Sequence, residues 1–427
     1  MNNDDINNMT AVKEICRSSR FEGAVIKNPP LPKQYGEELL VFDKGEGCWL
    51  FDTEGKKYLD FGSGISVNSL GYGREDLAET AYEQMKKLVH VSNLFATLPQ
   101  IKLADRILSA PIPGNSHADF CAVHFGNSGT EAVETALKYA RLYSLDSKGK
   151  GHSRIIAFTG SFHGRTMGAL SVTSTPAYRE PFEPLIPEVE ILPFNNSSAL
   201  EKAMDNTVAA VIVEPLQGEG GINLVSGDFA KTLNRLCRKY NAMLIADEVQ
   251  SGIGRCGAVF ASGITGLEPD IITLAKPLAG GLPLSAVLVP EKINRILKPG
   301  HHATTFGGGP VTTAVALKSW DILTDPSFMV EVRKKGEFLG SLLRLKLKEY
   351  NLDGEIKGLG LLKGLKLKEN KYDGEWCGKI ISQTREEGLI ILKSGGNVLR
   401  FAPPLTIDRD ELAKGVEILF KVININL

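Results

Sequence analysis

Cysteine is scarce in this chain of 427 residues: Cys16, Cys48, Cys121, Cys237, Cys256 and Cys377 are scattered without a Cys-x-x-Cys pair. That usage argues against a disulfide or zinc framework and fits reduced thiols in a cytoplasmic protein. Histidine is nearly as sparse, with no His-Glu-x-x-His pattern, and the adjacent His301 and His302 cannot easily share an ion, so no metal site is expected. No apolar run is long enough to span a bilayer, and the amino-terminal residues show neither an apolar signal core nor a basic transit helix. An excess of charge of one sign is missing too. Lys and Arg number 49 against 50 Asp and Glu, which leaves no electrostatic footprint for nucleic acid or an acidic membrane. Small-molecule chemistry is the default that remains.

What is present is 43% hydrophobic residues over a length at which one core usually stops growing, so at least two domains are expected. Residues 1 to about 35 read as an irregular arm able to lie across a partner subunit. Residues 38–60 alternate apolar and polar around two glycine turns and predict a small antiparallel meander. Helices are expected over 75–92 and 99–109. From Phe120 onward buried strand, loop and helix alternate, through FCAVHF, RIIAF, VAAVIV, AMLIAD and DIITLA. This pattern predicts an α/β domain with a mostly parallel sheet covered by helices. Beyond Trp320, helices (319–350, 375–388, 408–423) and short strands (355–367, 388–401) predict a smaller α+β module. The expected division is 1–75 for the arm and a small-domain segment, 76–320 for the large domain, and 321–427 for the carboxyl-terminal small domain.

Polar residues cluster where the apolar runs end, and in open α/β sheets ligands collect outside the carboxyl ends of the strands. The run Ile271 to Leu274 delivers Lys276 into a turn rich in glycine and proline. An ammonium at the end of a buried strand loses solvation, and the free amine that results can attack a carbonyl. Asp247 ends another buried strand, where a carboxylate needs a cationic partner. Ser128 and Glu131 have capping-box spacing at the start of a helix, and the helix's free amides and positive dipole end suit a phosphate. Phe162, His163 and Arg165 bring together an aromatic face, an imidazole and a guanidinium able to clamp a carboxylate. Glu214 and Glu219 lie on a loop with enough glycine to approach a ligand. Gly252 to Gly257 matches the dinucleotide pattern G-x-G-x-x-G after a strand. No convincing helix follows it and no strand-end acid stands about twenty positions later, so a nicotinamide dehydrogenase is rejected.

A nucleophilic lysine, a buried carboxylate, a stacking aromatic and a phosphate cradle are the parts needed to hold pyridoxal phosphate. Here the chain resembles the class III aminotransferases of the acetylornithine and ornithine type, which have the type I fold of pyridoxal-phosphate enzymes. The resemblance runs from about Gly36 to Asp408 and rests on GKKYLDFGSGISVNSLGYG, HVSNLF, FGNSGTEAVETALKYAR, SFHGRTMGALSVT, VEPLQGEGG, IADEVQSGIGRCG and GGNVLRFAPPLTI. It implies a large domain and a smaller α+β domain built from both chain ends. It also implies that Lys276 bonds the cofactor covalently and shuttles the proton, that Asp247 pairs with the ring nitrogen, and that Gln250 bonds the ring hydroxyl. Phe162 would stack on the ring, with His163 and Glu214 beside it. Ser128, Gly129 and Thr130 would hold the phosphate with Thr305 from the other subunit of a homodimer.

Arg400 resembles the arginine that grips the α-carboxylate of glutamate or 2-oxoglutarate, and Arg165 the one that holds the far carboxylate. Glu219 resembles the gate that covers Arg400 while an ω-amine donor is bound. Tyr35 and the turn Ser63 to Ile65 would line the donor's entrance. The chain departs from the family at Gly309, where asparagine is usual, and at Glu37. The expected reaction moves the terminal amino group of N2-acetylornithine to 2-oxoglutarate, as RFAPPL and HVSNLF favour. Succinylornithine, ornithine, 4-aminobutyrate and an acyl-lysine stay open as donors, and a cofactor-binding scaffold without activity is the alternative from another class.

Overall fold

The computed structural model describes residues 23–112, 119–368 and 371–427, so most of the expected amino-terminal arm lies outside the described residues. The described residues open with β1 (Val25–Lys27) paired antiparallel to β2 (Glu38–Leu40). β3 (Phe42–Glu46), β4 (Trp49–Asp52) and β5 (Lys57–Asp60) then form the antiparallel meander that alternation predicts. Helix α1 (Glu75–Lys87) ends about a turn before its expected limit, because the backbone turns extended at Leu88, where valines 89 and 91 disfavour a helix. Helix α2 (Leu98–Leu108) carries proline in its first turn, where the missing donor costs nothing.

The large sheet is assembled from β6 (Phe120–Gly126), β7 (Arg154–Phe158), β8 (Val189–Leu192), β9 (Val208–Val213), then, after the short hairpin β10 (Leu216–Gln217) and β11 (Asn223–Leu224), β12 (Met243–Asp247), β13 (Ile271–Leu274) and β14 (Ser285–Pro290). Its order is β6-β14-β13-β12-β9-β7-β8, and only β14 runs antiparallel to its neighbours. Every residue of β9, β12, β13 and β14 is buried, as continuous apolar strands covered on both faces must be. Successive residues of one strand serve opposite layers. Ile155 and Ala157 pack with Val133 and Ala136 of α3 (Gly129–Lys148), whereas Ile156 and Phe158 pack with Phe229 and Leu233 of α4 (Gly227–Lys239).

Helix α5 (Pro310–Leu323) runs through residue 320, and α6 (Pro326–Glu349) follows at once, capped by Asp325. β15 (Gly354–Leu359), β16 (Leu362–Leu367), α7 (Gly374–Glu386), β17 (Leu389–Ile390), β18 (Leu392–Ser394), β19 (Val398–Phe401) and α8 (Arg409–Ile425) complete the chain. The last strands form a second sheet, β15-β16-β19-β18, while β17 pairs parallel with β5. Both chain ends therefore build the smaller α+β part. No helix among the described residues is long and apolar enough to cross a membrane.

The segment Gly252 to Gly257 opens no helix; the next, Ala261–Thr265, starts only after further turns. Arg255 points inward, fully buried, and donates to the carbonyls of Leu361 (3.2 Å) and Pro403 (2.6 Å) and to Ser69 Oγ (2.8 Å). The glycines there permit positive φ at 254 and 257 and serve packing, not a nucleotide.

Candidate active site

The carboxyl ends of the large sheet open on a cavity of about 440 Å3. Its wall includes Ser128, Gly129, Thr130, Phe162, His163, Arg165, Glu214, Glu219, Asp247, Gln250 and Lys276, so nearly all the expected site residues converge. Tyr35 and Thr305 are exposed and lie outside the walls of this chain's cavity, as does the turn Ser63 to Ile65.

At one end the cavity adjoins the positive end of α3. Ser128 caps the helix, its Oγ accepting from Glu131 N at 3.4 Å. The capping box does not close as its spacing predicts: the Glu131 carboxylate instead accepts from Asn127 N (2.7 Å) and Nδ2 (2.9 Å), reaching one residue further back. Gly129 is compelled by contact, since a Cβ there would sit 2.6 Å from Val249 Cγ1.

At the centre, Asp247 Oδ2 accepts from His163 Nδ1 at 2.7 Å, and Oδ1 accepts from Thr273 Oγ1 (3.0 Å) and Val249 N (3.1 Å). The cationic partner demanded by a buried carboxylate is thus a histidine. Burial works to lower the His163 pKa, but the hydrogen bond and charge of Asp247 outweigh it, and the net shift is upward. Glu214 is driven up to about 7, first by burial, with Asp247 adding to the rise and His163 opposing it. Its two oxygens accept from Phe162 N (3.1 Å) and Gly218 N (3.2 Å), tying the aromatic loop to the glycine loop. The next acid, Glu248, points elsewhere and caps Ala261–Thr265 through Ser262 N (2.6 Å) and Ala261 N (3.0 Å). Phe162 and Tyr178 meet edge to face, and the Arg165 guanidinium lies over both rings, 3.5 Å from the Tyr178 centroid.

Lys276 follows β13 after one intervening residue, at the first position of the short 3₁₀ segment Lys276–Ala279, and it lines the cavity. Its φ of 28° is a left-handed value that a lysine adopts only under constraint, and such strain gathers at working sites. Burial lowers its pKa; Asp247 and Glu219 oppose that, and Arg400 adds to it. Buried Arg400 on β19 is not itself a wall residue but bonds two that are, donating from Nη1 to Glu219 Oε1 (2.5 Å) and to the Gly218 carbonyl (2.9 Å). Sequence reasoning missed the supports. Ser66 Oγ accepts from Gln250 Nε2 (2.6 Å) and Thr273 holds Asp247, yet both are ordinary polar residues in the sequence. Only the parallel register of Asp247 with Thr273 reveals the second.

Arrangement and fold define an aminotransferase, and the chain belongs to the class-III aminotransferases, whose family model matches residues 31–423. That family works with pyridoxal phosphate. Within it, the chain is 43% identical over 379 residues to a probable mitochondrial acetylornithine aminotransferase of Dictyostelium discoideum, covering 87% of this chain and 81% of that protein. It is 39% identical over 378 residues to the acetylornithine aminotransferase of Methanocaldococcus jannaschii, covering 88% and 92%. Among solved structures, the N-acetylornithine aminotransferase of Stenotrophomonas maltophilia superposes with a TM-score of 0.78 at 32% identity, over 92% of this chain and 97% of that one. A Toxoplasma gondii ornithine aminotransferase, described with partial occupancy of PLP at its active site, gives 0.82 at 31% identity over 90% and 89%.

Proposed function

We propose that this aminotransferase carries the terminal amino group of N2-acetylornithine to 2-oxoglutarate, yielding N-acetylglutamate 5-semialdehyde and glutamate, with pyridoxal 5'-phosphate as cofactor. The carrying observation is one cavity walled by Lys276, Asp247, Glu219 and the start of α3, with buried Arg400 bonded to Glu219. Its donor set fits the cofactor. Gly129 and Gly164 let the backbone of the two loops close on Val249 and Thr130, which a Cβ would meet at 2.6 and 2.3 Å, so the amides at the start of α3 stay beside the cavity. Asp247, buried in the cavity wall, is the anion a protonated ring nitrogen requires, and its partner His163 spends its one ring hydrogen bond on it, leaving Nε2 without a partner.

When bound, pyridoxal phosphate supplies an aldehyde for the incoming amine and a ring that withdraws electrons. Lys276 Nζ, with its ammonium destabilised by burial, would be the free amine that holds the cofactor, and would serve as the base and acid for the proton of the substrate carbon. Asp247, anchored by His163, Thr273 and Val249, would hold the ring nitrogen's proton, and Gln250 the ring hydroxyl. Ser128, Gly129 and Thr130 would take the phosphate at the positive end of α3. Phe162 would cover the ring while the Arg165 guanidinium, over its edge and Tyr178, takes the far carboxylate of 2-oxoglutarate. Arg400 would bind the near carboxylate. An amine donor has no carboxylate there, and an uncovered buried cation costs a few kcal/mol, so Glu219 covers it.

The same reading includes a homodimer in which Thr305 serves the partner's site. Thr305 stands in an exposed segment beside Phe306, and Leu94, Phe95 and Leu98 are exposed and apolar nearby in sequence to Asn93, whose Nδ2 binds the carbonyls of Thr304 and Gly307. A cytoplasmic setting is supported by the free state of the described cysteines. A panel of amines assayed for glutamate formation tests the donor. N2-acetylornithine should give the highest kcat/KM, and fast turnover of 4-aminobutyrate with none of acetylornithine would overturn the choice.

A further inference from the structure

The tip between β10 and β11 carries Glu219 among Gly218, Gly220 and Gly221, a sequence with little stiffness of its own. It is nonetheless held on both sides of Glu219 by one hairpin of the small sheet. Ser394, at the end of β18, donates its hydroxyl to the Gly218 carbonyl (2.7 Å) and accepts from Gly221 N (2.8 Å). Gly395 N donates to the Glu219 carbonyl itself (2.6 Å). The approach is so close that the Cβ of any other residue at 395 would stand 3.2 Å from Gly221 Cα and, with φ at 57°, would be strained. The same hairpin presents Arg400, since β18 pairs with β19 and Leu392 registers with Arg400. One rigid turn thus fixes the backbone of the gate while its neighbouring strand binds the gate's carboxylate.

From this we infer that Ser394 is a positioning residue that sets the enzyme's preference between its two kinds of substrate. By pinning Gly218 and Gly221 it leaves Glu219 only side-chain rotation, so the carboxylate returns to Arg400 whenever glutamate departs. The hydroxyl is buried, lies outside the cavity wall, and has both of its hydrogen-bonding roles filled by the gate. Its loss releases the tip, leaves Arg400 less often covered, and penalises amine donors more than dicarboxylates.

The inference rests on Glu219 acting as the gate, so three variants of the holoenzyme are compared: Glu219→Gln, Ser394→Ala and Ser394→Cys. Each half-reaction is followed separately by stopped flow, and glutarate, an unreactive dicarboxylate, is titrated by calorimetry. For Ser394→Ala the ratio of kcat/KM for N2-acetylornithine to that for glutamate should fall about fivefold, the scale expected of one buried hydrogen bond, and glutarate should bind tighter. Should Ser394→Ala fail to fold, Ser394→Cys, with its weaker donor, carries the same comparison. A Ser394 variant that slows both half-reactions by one factor, or moves neither ratio nor glutarate affinity, overturns the inference when Glu219→Gln still shifts the ratio. A Glu219→Gln protein with the parent's ratio would remove the gate reading and the inference with it.

Discussion

Glu214 shows how a single buried side chain can set pH behaviour. Its carboxyl is held above its ordinary 4.5, at about 7, chiefly by burial. The folded protein therefore retains this proton where the unfolded chain has released it, so the group's contribution to stability falls as pH rises from about 4.5 to about 7 and is level beyond. Glu214→Gln removes that slope. Denaturant unfolding at a series of pH values should show the parent losing roughly 1–3 kcal/mol relative to Glu214→Gln across that window. Parallel curves would show that the proton is elsewhere. At this scale the sequence was informative where chemistry is concentrated: Lys276 and Asp247 are costly to bury and their positions at strand ends announced a purpose, whereas Arg400, inside β19, was named only through the family resemblance. Ser66, Thr273 and Ser394 were invisible, because a hydroxyl is cheap anywhere and its role depends on which distant segment it meets.

Among elements, the start of α3 bears most directly on the cofactor. Gly129 lets the first turn of the helix lie against Val249, whose backbone amide in turn holds Asp247 Oδ1. Gly129→Ala adds a methyl group 2.6 Å from Val249 Cγ1, an overlap that neither helix nor strand end can relieve without moving. Overpacking of this kind costs about 1–3 kcal/mol, more than the preference of alanine for a helix returns. Titration of the apoprotein with pyridoxal phosphate should give a dissociation constant raised about tenfold, the equivalent of about 1.4 kcal/mol. An unchanged constant would detach this helix end from the phosphate. The strands flanked by crossover helices were legible in the sequence because their periodicity changes sharply at each boundary. β14 was not, since it follows a glycine-proline turn and returns antiparallel without a helix. β8 was missed as well, because an edge strand only four residues long gives little pattern to read.

The whole molecule depends on contacts that no local pattern encodes. β17 pairs with β5, and Arg255, in the turns after β12, reaches Leu361, Pro403 and Ser69, so the large sheet's loop is bonded to both chain ends at once. Burial lowers the Arg255 pKa to about 10, still high enough to keep it charged at neutral pH. Its hydrogen bonds go to neutral oxygens, so two opposing effects compete when it is replaced. An apolar side chain escapes the cost of burying a cation, yet leaves two buried carbonyls and two hydroxyls, of Ser63 and Ser69, without their donor, at about 1–3 kcal/mol for each one left unsatisfied. The acceptors outnumber the single charge, and Asp60 nearby already favours that charge. Arg255→Met should therefore destabilise the protein by roughly 2–4 kcal/mol, read as a lower midpoint in denaturant. Protection from hydrogen exchange should fall together in the turn between β15 and β16, in the segment after β19 and around Ser63 and Ser69, the places the guanidinium joins. A variant as stable as the parent would mean that desolvation of the cation cancels everything its hydrogen bonds contribute.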